Sequence, residues 1–78
     1  MDRQGFTVVL RGYDVGAVDQ LMRAGQEALM QQDPVKAAQA SAAIAAFRAS
    51  PVVKLRGYDR EQVDAYLARI TAELQQSA

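Results

Sequence analysis

The sequence predicts a mainly α-helical fold with two short β segments, in the order β-α-α-β-α, built as a tandem repeat with a pseudo-two-fold axis. Three observations predict it. First, Val8-Val9-Leu10-Arg11-Gly12-Tyr13-Asp14 with Val18-Asp19 returns as Val52-Val53-Lys54-Leu55-Arg56-Gly57-Tyr58-Asp59 with Val63-Asp64, and from Leu10 onward the offset is 45 residues throughout. A self-similar stretch marks one supersecondary unit used twice, and such units bury their apolar faces against each other. Second, each copy leads into residues with apolar spacing of helical period. Third, an Ala-rich run of helical length separates the copies.

Each repeat opens on a β-prone run, Phe6-Thr7-Val8-Val9-Leu10 and Val52-Val53-Lys54-Leu55. β-branched side chains have a stiff χ1 that suits a pleated surface. Each run is expected to stop at a Gly turn, where Gly12 and Gly57 can take positive φ or a tight bend that other residues resist. Asp14 and Asp59 then stand where a carboxylate accepts the orphan N–H groups of a helix's first turn. Gln62, three residues after Asp59, has the spacing of a capping box.

The first helix is expected over 15–30, with Val18, Leu21, Met22 and Leu29 on its apolar stripe. Gly16 and Gly25 each weaken it by about 1 kcal/mol relative to Ala, so Gly25→Ala is expected to stabilise unless a close contact is disturbed. Asp33-Pro34 signals a new helix start. From Pro34 to about Ala49 the chain is mostly Ala, Gln, Ser and Val, with Ile44 and Phe47 as its large late apolar groups. Ser50-Pro51 stops it. The last helix, over 60–76, carries Val63, Tyr66, Leu67, Ile70 and Leu74 on one face, with Arg60, Glu61, Arg69 and Glu73 opposite.

Residues 1–78 are therefore expected to form a single domain of two repeats, about 6–31 and 51–76, joined by an Ala-rich helix over about 33–49. Helices of about 16 residues are about 24 Å long, and a short connection makes the first two antiparallel neighbours. The second strand and helix are then expected to start beside the first pair and point the same way.

Composition narrows function. The chain has 78 residues, nine basic and nine acidic side chains, net charge zero, no His and no Cys. Common zinc sites, thiol chemistry and His acid/base catalysis are excluded. The carboxylates do not cluster, so the chain is expected not to be an enzyme and to need no cofactor or metal. A pI near 6.1 lacks the basic excess of a nucleic-acid binder. No apolar run is long enough to span a bilayer, and absence of Cys fits a reducing compartment. The expected location is the cytoplasm, extending to the inner face of the membrane if the Leu-Arg corners meet lipid.

The motif Leu-Arg-Gly-Tyr-Asp, three residues, then Val-Asp resembles the N-terminal domain of the DivIVA family, Gram-positive bacterial scaffolds of cell division and polar growth. The closest likeness is to small actinobacterial proteins with repeated DivIVA-type motifs. Phe6, five residues before Arg11, matches the family's Phe there, and the likeness covers residues 6–22 and 51–70. The resemblance implies dimerisation through coiled coils, attachment to curved membrane through a loop apex, and recruitment of division or cell-wall proteins. This chain departs in having Pro51 at the second Phe position, Leu10 and Leu55 before the arginines where Phe is frequent, and no long heptad segment.

Two readings of the corner stand side by side. Leu10, Arg11, Leu55 and Arg56 are candidate interaction or membrane apices. Alternatively, Arg11 and Arg56 pair internally with Asp19 and Asp64, fixing each strand-to-helix corner. Tyr13 and Tyr58 are read as packing their rings on the following helix and leaving their hydroxyls in water. Gly12, Tyr13, Asp14, Asp19, Gly57, Tyr58, Asp59 and Asp64 are read as the structural motif. The function expected is a non-catalytic, DivIVA-like protein-interaction or scaffold module, with unidentified protein partners or self-association and no nucleic acid. The alternative is a weak peripheral membrane adaptor.

Overall fold

A computed structural model describes residues 6–77. The element order is β1 (Val8–Tyr13), α1 (Val15–Gln31), α2 (Pro34–Ala49), β2 (Val53–Tyr58) and α3 (Arg60–Ser77). The fold is mainly helical with two short strands, as the sequence predicts.

The helix starts follow their caps. The Asp14 carboxylate accepts from the Ala17 N–H at 3.0 Å, and the Asp59 carboxylate accepts from the Glu61 N–H at 3.1 Å. Asp33 accepts from Val35 and Lys36 ahead of Pro34, whose missing N–H costs nothing at that position. Between α1 and α2, Gln32 takes a left-handed conformation (φ 52°) and returns its N–H to the Ala28 carbonyl. Gln62 does not complete the capping box. It turns to Thr7, accepting from the Thr7 N–H at 2.7 Å and donating to Thr7 Oγ1 at 3.3 Å. The Asp59 N–H that it would have taken goes to the Thr7 carbonyl at 2.7 Å.

The strands differ from expectation in extent and direction. Both run through the Gly to the Tyr, so Gly12 and Gly57 lie inside strands and not in turns. The ribbon is antiparallel. Partner numbers fall along β2 as they rise along β1, from Val8 with Tyr58, through Leu10 with Arg56, to Tyr13 with Val53. The end bonds agree, Asp14 N–H to the Val52 carbonyl at one end and Asp59 N–H to the Thr7 carbonyl at the other. A further Tyr13–Tyr58 pairing lies outside this register, where the strands cross. The direction follows from the α1–α2 hairpin, which returns the chain to where α1 began. That point is the end of β1, so β2 starts opposite Tyr13 and runs back.

The core lies between the three helices and the C-terminal ends of the two strands. Val18, Leu21 and Ala28 from α1, Ala37, Ala40 and Ile44 from α2, and Val63, Tyr66, Leu67, Ile70 and Leu74 from α3 are buried with Tyr13. The full apolar stripe expected of the last helix is therefore core. Small residues let the helices approach closely. Gly25 is one such residue, because a Cβ there would lie 2.7 Å from Ile70 Cδ1. This close contact replaces the expectation that Gly25→Ala stabilises. Ala37 and Ala40 are the buried small residues of α2.

Candidate functional site

The two strand-to-helix corners hold the residues that the sequence singles out, and each corner is completed by the other copy. The Tyr13 hydroxyl donates to Asp64 Oδ1 at 2.9 Å, and the Tyr58 hydroxyl donates to Asp19 Oδ1 at 3.0 Å. Adding 45 to the first donor gives the second, and subtracting 45 from Asp64 gives Asp19. The same exchange relates the two end bonds of the ribbon.

This arrangement corrects two expectations. The tyrosine hydroxyls are not left in water. Nor do Arg11 and Arg56 pair with Asp19 and Asp64: among the described residues neither arginine makes an ion pair, because each carboxylate serves the opposite copy's tyrosine. The rings are fixed as well. Phe47 meets Tyr13 edge-on with centroids 5.1 Å apart, and Phe6 lies 5.2 Å from Tyr58 and 5.7 Å from Tyr66. These are favourable separations for tilted and edge-to-face aromatic pairs. Burial raises the Tyr13 pKa above its ordinary value, reinforced by the hydrogen bond to Asp64 and that carboxylate's charge, with Arg60 and Arg48 opposing.

Gly12 and Gly57 meet at the crossing. Neither has a left-handed φ, so the reason for glycine is space. A Cβ on Gly12 would overlap the backbone of Gly57 and Tyr58, and one on Gly57 would overlap the Tyr13 carbonyl and sit 2.8 Å from Gly12. The left-handed backbone falls one residue earlier and in one copy alone, at Arg11 (φ 60°).

With the C-terminal end of each strand locked, the rest of each strand faces outward. Leu10 is 72% exposed and Leu55 75%. Val8, Val52 and Val53 are exposed with them, as are Arg11, Lys54 and Arg56. No acidic residue lies in either strand. The face is thus apolar and cationic together. Leu10, Arg11, Leu55 and Arg56 were legible as apex candidates. Val8, Val53 and Lys54 were not singled out, although Val53-Lys54-Leu55-Arg56 alternates with the period of a strand. A second exposed apolar pair, Met30 and Val35, flanks the α1–α2 turn.

Among the described residues no three His, Cys, Asp or Glu side chains gather as metal ligands, and no helix is long and apolar enough to cross a membrane. Comparison with protein-family models, curated proteins and solved structures finds no match to this chain.

Proposed function

We propose that the chain is a non-catalytic interaction module, a compact DivIVA-like pair of repeats that presents its two-stranded ribbon to a protein partner, in the setting of cell division or polar growth. The observation that carries the reading is the ribbon itself. Five apolar side chains and three cations stand exposed on a backbone pinned by the Gly12–Gly57 crossing and the two Tyr–Asp bonds. Leaving Leu10 and Leu55 in water forgoes about 1.5–3 kcal/mol each, and exposed apolar patches of this kind mark interaction sites. The pseudo-two-fold relation between the repeats belongs to the same proposal, supported by the paired bonds that exchange at the 45-residue offset.

Site-resolved photo-crosslinking tests it. A photoreactive residue placed at Leu55 is expected to capture a defined protein in the source cell, while one placed at exposed Ala42 on α2 captures none. Equal capture from both positions would overturn the reading.

Exposed Leu10 and Leu55 beside Arg11 and Arg56 also favour a second reading, a weak peripheral membrane adaptor. Two leucines at about 1.5–3 kcal/mol each and two arginines at about 1 kcal/mol each give about 5–8 kcal/mol before the cost of orienting the protein. Such binding would be marginal, require anionic lipid and disappear in moderate salt. Co-sedimentation with neutral and anionic liposomes at low and physiological salt tests this. Salt-insensitive binding to neutral liposomes would refute it.

A further inference from the structure

From the ribbon's open edge we infer that the partner is an extended acidic peptide segment that adds to β2 as a third strand, an inference that rests on the ribbon being the docking face. A two-stranded sheet leaves each strand one unpaired edge, and such an edge is a row of N–H and C=O groups ready to template another strand. The edges of β1 and β2 are unequal. Arg11 breaks the extended run of β1 with its left-handed backbone, whereas no non-glycine residue of β2 has positive φ. The edge without such a break is therefore that of β2, over its exposed stretch 53–56, because Gly57 and Tyr58 are taken up by the crossing with Gly12 and Tyr13.

The side chains of β2 define the chemistry of the incoming strand. Successive residues point to opposite faces, so Lys54 and Arg56 share one face while Val53 and Leu55 share the other. All four are exposed. A strand alternating acidic and apolar residues would set its carboxylates across from Lys54 and Arg56 and its apolar groups across from Val53 and Leu55. Cross-strand pairs of opposite charge stabilise, and like charges placed opposite each other destabilise. A second β2 would bring cations toward cations, which disfavours self-pairing along this edge. Lipid is the poorer occupant, because hydrocarbon cannot satisfy an open sheet edge and a peptide backbone can.

The test is an NMR titration of the ¹⁵N-labelled full chain with the blocked peptide Glu-Val-Glu-Val-Glu-Val, its Lys-Val counterpart, and the acidic peptide N-methylated at alternate amides. The acidic peptide is expected to give saturable shifts concentrated in residues 53–56, the Lys-Val peptide none, and the N-methylated peptide none. A Lys54→Glu, Arg56→Glu variant, altered at exposed positions, is expected to weaken binding by about tenfold, the scale of two cross-strand charge pairs turned repulsive. Equal binding of the N-methylated peptide would overturn strand addition. Shifts with phosphatidylglycerol vesicles but none with any peptide would assign the face to lipid instead. No response to peptide or vesicle also overturns the inference, while crosslinks from position 55 would still stand for the broader reading.

Discussion

Replacing Gly25 with Ala tests the close approach of α1 and α3. In an ordinary helix interior the change stabilises by up to about 1 kcal/mol. Here the new methyl would lie 2.7 Å from Ile70 Cδ1 and 3.4 Å from Cγ1. Nonbonded carbons rest at about 3.5–4.0 Å, so the closer contact is short by about 1 Å. Ile70 is 4% exposed and cannot swing its end into solvent. Overpacking of this kind costs about 1–3 kcal/mol, so the balance is a net loss of about 1 kcal/mol. For a chain of this size that lowers Tm by about 4–8 °C. Ile70→Val removes the clashing atom and alone costs about 0.5–1.5 kcal/mol. In the double variant the alanine methyl enters the vacated space, so the two changes are expected to couple favourably by about 1–2 kcal/mol. Thermal and urea melts of the parent, both singles and the double close the cycle. A Gly25→Ala protein that melts higher than the parent would refute the reasoning, as would singles that simply add in the double.

Other variants probe the ribbon. Gly57→Val is expected to lower Tm well beyond Gly25→Ala, because its Cβ meets backbone at the crossing and not a movable side-chain end; equal shifts in thermal melts would contradict this. Arg11→Gly and Arg56→Gly make the same change in the two copies, but only Arg11 is left-handed. The first is therefore expected to be more stable by about 1 kcal/mol, the cost of αL for a non-glycine residue, and indistinguishable urea midpoints would refute that. Tyr13 has its pKa raised by burial and by Asp64. Its protonated form is favoured in the folded state, so its contribution to stability is complete below the unfolded tyrosine value of about 10 and is lost as pH rises through the folded value. Alkaline denaturation followed by circular dichroism should show a shallower loss in Tyr13→Phe than in the parent, and parallel curves would oppose it. The Arg11→Ala, Arg56→Ala double variant should fold with a Tm close to the parent's, since neither arginine holds a carboxylate; a collapse in Tm would revive the internal ion pair.

The local signals in the sequence were legible and the long-range ones were not. Asp14, Asp33 and Asp59 announce helix starts because a cap acts within three residues of itself, and the stripe from Val63 to Leu74 is a property of one helix. The partners of Tyr13 and Tyr58 lie 51 and 39 residues away, and spacing alone offered each arginine the nearer carboxylate. Locally, Gly12 and Gly57 read as turn residues because backbone freedom is the local reason for glycine; the crossing of two distant segments is invisible from either one. The direction of β2 required knowing that the hairpin returns to the end of β1 and not to its start. Leu10, Arg11, Leu55 and Arg56 were found as an exposed set, but the wider face depends on both strands lying side by side.

The two copies complete each other within one chain, crossing at Gly12 and Gly57 and exchanging their Tyr–Asp bonds. Nuclear Overhauser contacts between the Gly12 and Gly57 α protons, recorded on uniformly labelled protein and on a mixture of labelled and unlabelled chains refolded together, test it most directly. A strong Gly12–Gly57 contact is expected, with Tyr13 ring protons near Asp64 and Tyr58 ring protons near Asp19, all absent from spectra filtered for contacts between chains. Glycine α protons with no mutual contact, or contacts found only between chains, would contradict it.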